Sequence, residues 1–206
     1  MKLFYSAASP YARKVRVLAH ELGLHDRIEA IATTVSPVEV NADIAGRNPL
    51  AKLPTLELDD GSTLYDSRVI VQYLLSLAPQ AAGAPSDRWG LLRREALADG
   101  ILDAALLARY EEALRPAEFR WPAWQAQQEA KVLRGIAQCE AEVDALTSAL
   151  RDAASIGPRV DVIAIGCMLG YLDLRFARLE WRRQAPRLAA FDAAFAQRPS
   201  MLATRS

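Results

Sequence analysis

The opening residues KLFY form a short apolar run suited to a strand, and residues 10 to 22 space their apolar positions as an amphipathic helix that Gly23 ends. RIEAIAT then alternates as a second strand. An irregular stretch through Asp43 and Ala45 has helical character, NPLAKLP comes after it, and TLELDDGSTLY places two short strands around Asp60-Gly61 as a hairpin. DSRVIVQYLLSLAP begins at a polar pair and stops before Pro79, as a helix does. The order β-α-β-α-β-β-α makes a unit of about 80 residues.

Beyond it the pattern changes. Residues 79–86, inside APQAAGAPSD, interrupt all periodicity with proline and glycine and read as a linker. The remainder of the chain has helical period alone: helices are expected over about 87–114, 124–150, 160–178 and 186–197. Val132, Ile136, Cys139, Val143, Leu146 and Leu150 alternate steps of four and three, so Cys139 belongs to an apolar helix face. Two domains are therefore expected, an α/β unit over residues 1–78 and an all-helical one over 87–206.

Composition narrows the function classes. The chain has 206 residues, 51% of them hydrophobic, which is enough for a substantial core. Twenty-five basic residues balance twenty-five acidic ones, so no global field draws the chain to nucleic acid or to an anionic membrane. Arg175, Arg178, Arg182, Arg183 and Arg187 read as a solvated helix face. Pro10, Arg13, Lys14 and Arg16 break the N-terminal apolar stretch too early for a secretion signal. The run Val162–Leu172 falls short of the roughly 20 residues a membrane helix needs. Its Gly166 and Gly170 suit close helix packing instead. Cys139 and Cys167 have no companion spacing for zinc or a disulfide framework, His20 and His25 have no third histidine, and no metal is expected. A cytoplasmic setting fits.

Ser9-Pro10 is a helix-start pair: serine caps an orphan N–H and proline takes the first helical position without wasting a donor. A capping oxygen acts as acceptor, which leaves the hydroxyl hydrogen free to donate.

SPYARKVR after the first strand, NPLAKLPTL, LYDSRVIVQYL and RLAAFDAAFAQRPSMLAT stand in an order and spacing that resemble the cytosolic glutathione S-transferases, across essentially the whole chain. The second half, with EALADGILDAAL, is most similar to bacterial members. The resemblance implies a thioredoxin-like N-terminal domain followed by an all-helical one. It also implies glutathione as co-substrate, with no further cofactor, and a homodimer.

The resemblance implies that Leu53-Pro54 is a cis pair whose Leu53 backbone meets the cysteinyl unit of glutathione as a strand would; a plain trans turn is the structural alternative. Asp66-Ser67 opens a helix, whose N-terminus suits a carboxylate, while Asp66 suits the ammonium of the same γ-glutamyl group. As a simple capping pair it would look the same. Lys52 stands where it can meet the glycyl carboxylate or be solvated. Ser9 holds the position that the resemblance marks as thiol-activating, because a hydroxyl donor and a helix N-terminus both favour a thiolate. Tyr5 and Ser6 are near enough to compete.

The expected activity is conjugation of the glutathione thiolate to small hydrophobic electrophiles, bound between the domains by Tyr5, Arg109 and Tyr110 and by residues near Phe119 and Trp121. The alternatives are a non-catalytic binding or scaffold protein of the same fold and a glutathione-dependent reductase or peroxidase. The reductase is disfavoured by serine where such members carry cysteine. Helix 87–114 is the expected dimer element, with Asp99 or Asp103 reaching the partner's glutathione. One departure is that Pro158 stands three positions before Asp161, where the resemblance implies a Ser or Thr cap.

Overall fold

The computed structural model describes residues 1–78, 87–156 and 159–205. Four strands, β1 (Lys2–Tyr5), β2 (Glu29–Ala32), β3 (Thr55–Glu57) and β4 (Thr63–Leu64), form one mixed sheet in the order β2-β1-β3-β4. β1 and β2 are parallel and are joined through α1 (Pro10–Glu21), while β3 runs antiparallel to both β1 and β4. This is the thioredoxin-like unit, completed by α2 (Ala42–Ala45) and α3 (Ser67–Leu77). Leu3 and Leu56 lie opposite each other in register and are fully buried. Phe4 points to the other face, where the Arg47 guanidinium covers its ring at 4.6 Å.

The local signals work as their chemistry dictates. α1 ends in a Schellman arrangement: Gly23 takes φ 66°, Leu24 N–H donates to the Ala19 carbonyl at 2.8 Å and Gly23 N–H to that of His20 at 3.1 Å. His20 stacks on His25 with centroids 4.3 Å apart, beside that helix end. In the β3–β4 hairpin Gly61 takes φ 83°, and the Ser62 amide and hydroxyl both donate to the Asp60 carboxylate.

Helices make up the rest: α4 (Arg88–Ala113), α5 (Pro122–Ala141), α6 (Val143–Ile156), α7 (Val160–Arg175), α8 (Trp181–Gln184), α9 (Pro186–Phe195) and α10 (Pro199–Ala203). α7 is the central pillar, buried from Val160 through Leu169 and packed against α1, α4 and α9. Its glycines permit that approach. A Cβ on Gly166 would fall 2.3 Å from the Phe195 ring, and one on Gly170 would fall 2.8 Å from Arg13 Nη1. No described helix is long and apolar enough to cross a membrane.

Several expectations change. The helix expected over 124–150 is two, broken at Glu142, whose carboxylate is held bidentately by Arg93 of α4. Neither glycine nor proline marks the break, and the apolar spacing runs straight through it. The helix expected to reach 178 ends at Arg175 and gives way to a 3-10 turn over Ala177–Leu179. The five arginines are not one helix face: Arg178 pairs with Glu129, Arg182 with Asp173 and Asp192, Arg183 with Glu180 and Arg187 with Asp144, on four different elements. The expected linker 79–86 and Pro158 lie outside the described residues.

Candidate functional site

Strand register gathers the candidate residues. β1 ends at Tyr5 and leads through Ser6 to Ser9; β3 starts opposite Phe4, so Leu53-Pro54 enters at that same end of the sheet. β4 runs back along β3, with Leu64 opposite Leu56, and delivers Asp66-Ser67 there too. Three segments far apart in sequence thus converge at one edge of the thioredoxin-like unit.

Ser9 is the N-cap of α1. Its Oγ accepts the Ala12 N–H at 3.2 Å, and its own N–H donates to the Ser6 carbonyl at 3.0 Å. A small cavity lies between this turn and α7, with Ser9 and Arg13 on one wall and Cys167, Gly170, Tyr171 and Leu174 on the other. Tyr5 and Ser6 do not line it. The Tyr5 ring lies under the Arg16 guanidinium at 4.5 Å.

The Leu53-Pro54 peptide is cis and immediately precedes β3. The preceding loop is pinned by Asn48, a buried side chain absent from the expected set, whose amide donates to the Lys52 carbonyl at 3.0 Å and to Thr55 Oγ1 at 3.2 Å. Lys52 itself is exposed. Asp66 caps α3, with Oδ1 accepting the Arg68 N–H at 2.9 Å, and its side chain remains open to water, while Ser67 is buried. Both Ser9 and Asp66 are therefore genuine caps, and each keeps a polar group for a further partner: the hydroxyl hydrogen in one, the second carboxylate oxygen in the other.

On α4 the stripe Asp99, Asp103, Leu106, Tyr110 follows i, i+4, i+7 spacing. Lys14 of α1 meets Asp99 and Tyr11 meets Asp103, so the stripe climbs toward the start of α1. Tyr171 is on the cavity wall, whereas the expected Arg109 and Tyr110 do not line it; burial pushes the Tyr171 phenol above the usual range, Arg109 pulls it back and Tyr110 adds to the rise. Phe119 and Trp121 are 67% and 64% exposed and do not line the cavity.

A buried charge cluster escaped sequence reading. Lys14 Nζ lies 3.1 Å from Glu95 Oε1 and 3.0 Å from both oxygens of Asp99, while Arg68 Nε reaches Asp99 Oδ2 at 2.7 Å. Asp99 thus ties α1, α3 and α4 together beneath the site. Burial pushes the Glu95 carboxyl up, against the pull of Lys14. Asp99 is turned inward and saturated by its own chain, so the expected reach toward a partner subunit does not fit its geometry. Asp103 stays at the surface, accepting the Tyr11 hydroxyl at 2.5 Å. The recurrence of acids at 95, 99 and 103 was the available signal.

Both cysteines are free and buried, with burial pushing their thiols up to about 12. Cys139 sits on the apolar face expected for it. Among the described residues no three metal-ligating side chains cluster.

Residues 8–77 match the model of the glutathione S-transferase N-terminal domain. The uncharacterized GST-like protein YibF of Escherichia coli K12 is 35% identical over 197 residues, 91% of this chain and 90% of its own. A glutathione transferase family member from Pseudomonas fluorescens Pf-5, crystallised with bound glutathione, superposes with a TM-score of 0.90 at 46% identity, over 99% of this chain and 98% of that one. A second such structure from that organism holds S-(propanoic acid)-glutathione and aligns with a TM-score of 0.87 at 45% identity, over 100% of this chain and 98% of that one. With the thioredoxin-like sheet, the helical half and full-length kinship together, the chain belongs to the glutathione S-transferase superfamily.

Proposed function

We propose that the protein is a glutathione transferase that holds the glutathione thiolate at Ser9 and adds it to small hydrophobic electrophiles bound between the sheet unit and α7. The observation that carries this reading is the convergence of Ser9, Leu53-Pro54 and Asp66-Ser67 at one sheet end. The groups gathered there suit the chemistry of an extended tripeptide with a thiol in its middle. Asp66 receives the γ-glutamyl ammonium, the α3 N-terminus and Ser67 its carboxylate, the Leu53 backbone the cysteinyl unit, and Lys52 the glycyl carboxylate. The bound glutathione in similar structures supports the assignment.

At the thiol, a donated Ser9 hydrogen bond and the α1 N-terminus both favour the anion, so attack needs no separate base. Tyr110, Arg109 and Tyr171 bound the electrophile side. Serine rather than cysteine at the helix mouth, with both cysteines buried, favours conjugation over thiol exchange. The protein works as a cytoplasmic homodimer in this reading, with residues 1–78 and 87–206 as its two domains. The exposed Leu50, Val69 and Trp89 supply apolar surface for a second copy.

Turnover of an aromatic halide, with glutathione affinity measured by calorimetry alongside, tests the reading. Binding with turnover supports it; binding without turnover above the uncatalysed rate selects the non-catalytic alternative.

A further inference from the structure

Tyr171 carries a hydroxyl that the fold does not use. The side chain is only 5% exposed, yet among the described residues its Oη has no hydrogen-bond partner. No fully enclosed polar side-chain atom among those residues is left without a partner. The Tyr171 hydroxyl therefore touches open space, and the space Tyr171 lines is the small cavity beside Ser9. A buried hydroxyl without a partner is costly, so one kept in a native fold calls for a ligand. The other walls share the bias, because each polar side chain on them donates. Ser9, whose Oγ already accepts the Ala12 N–H, keeps its hydroxyl hydrogen. The Arg13 guanidinium stands against Gly170, held by the Met201 carbonyl at 3.1 Å and Thr204 Oγ1 at 3.5 Å. Cys167 adds a thiol, and among the described residues no carboxylate lines the cavity. Converging donors without an acid favour an anion.

We infer that the Tyr171 hydroxyl is a second donor to the glutathione thiolate, reaching it from α7 across the cavity from Ser9, which makes Tyr171 a catalytic residue. This rests on the glutathione transferase reading above, which sets the sulfur at Ser9 and so at the cavity that Tyr171 lines. The thiolate is then the anion nearest the free hydroxyl. Ser9 from the sheet unit and Tyr171 from the helical half close on one sulfur, so the thiolate is held only where the two halves meet. Burial pushes the phenol above its usual range, so it stays protonated over the whole span in which a thiol ionises. The charged and titratable groups around it are Arg13 of α1, Cys167 and Arg175 of α7, and Arg109 and Tyr110 of α4, none of them an acid that competes for its hydrogen. No covalent step is added. The thiol proton leaves to solvent, and the phenol proton stays on its oxygen.

Tyr171→Phe is the test, because it deletes a hydroxyl that no part of the chain uses and should leave the melting temperature unchanged. The thiolate absorbance of bound glutathione, followed against pH, should titrate about one unit higher than in the wild type, the equivalent of one charge-assisted hydrogen bond. Ser9→Ala/Tyr171→Phe should titrate higher than either single variant. Turnover of an aromatic halide at saturating glutathione should drop about three- to tenfold below the wild-type thiol pKa. It should match or exceed the wild-type rate at high pH, where the more basic thiolate is the better nucleophile. Superimposable thiolate titrations of wild type and Tyr171→Phe overturn the inference, and if turnover then falls equally at every pH the hydroxyl serves the electrophile instead. Glutathione itself separates the levels: if it fails to bind the wild type, the transferase reading falls and this inference with it, and if it binds while the titrations coincide, only this inference does.

Discussion

Arg94 Nε donates to Asp161 Oδ2 at 2.8 Å, and both side chains are out of water, Asp161 completely. Arg159, the N-cap residue of α7, supplies no side-chain cap and instead pairs with the same carboxylate. The missing Ser or Thr before α7 is thus answered by an ion pair that joins α7 to α4. Asp161→Ala would leave Arg94 with only Asp87 at 3.3 Å and Glu142 at 3.8 Å, so the loss should be smaller than the roughly 3–5 kcal/mol of a buried pair broken outright, on the order of 2 kcal/mol. Urea unfolding of the variant should show that loss, with Asp161→Asn intermediate; a midpoint within error of wild type would contradict the role.

The two glycines of α7 should part company. Gly166→Ala drives a methyl into the buried Phe195 ring and should cost about 1–3 kcal/mol. Gly170→Ala meets the Arg13 guanidinium, which must shift against its bond to the Met201 carbonyl but is no rigid ring, and gains the helix preference of alanine. Thermal melts should fall for the first and hold or rise for the second.

Ser9→Ala separates cap from catalyst. Losing a charge-assisted hydrogen bond of about 1.5–3 kcal/mol corresponds to a rise of roughly one to two units in the bound thiol's pKa. Conjugation at neutral pH should fall about ten- to a hundredfold and recover in part as pH rises, with glutathione affinity nearly unchanged. The thiolate absorbance of bound glutathione against pH is the measurement. Superimposable titrations of wild type and variant would remove Ser9 and return attention to Tyr5 and Ser6.

Asp66 carries both a cap and a charge, and two substitutions divide them. Asp66→Asn keeps the acceptor for Arg68 N–H but removes the charge, so glutathione should weaken by about 2–3 kcal/mol with little loss of stability. Asp66→Ala should lose about 1 kcal/mol of stability besides. Calorimetry showing full affinity in the Asn variant would take the ammonium away from Asp66.

Glu21 predicts an acid-sensitive joint. Burial alone would raise its carboxyl, but hydrogen bonds from Arg198 at 2.9 Å and Ser200 at 2.5 Å outweigh it and hold the group below the usual range. A depressed folded value means the contribution is complete above the unfolded pKa of about 4.3 and drains away as pH falls through the folded one. The stability gap between wild type and Glu21→Gln, followed by urea midpoint from pH 7 to pH 3, should therefore close below about pH 4. A gap constant across that span would mean the carboxylate charge is idle.

Period, caps and turn residues are local properties, and they made the βαβαββα unit, its hairpin at Asp60-Gly61 and the Gly23 helix stop legible from the chain alone. Ser9 and Asp66 were legible for the same reason, since a helix mouth is written in a few adjacent residues. The tertiary structure alone decided where charges go. Nothing adjacent in the chain marks Lys14 or Arg94 for burial; Asp99, 85 positions away, and Asp161, 67 positions away, enclose them. The break at Glu142 was invisible because the apolar period continues through it, and its carboxylate is held by an arginine 49 residues distant. Periodicity records which face of an element is dry; it does not record which opposite charge another element brings to that face.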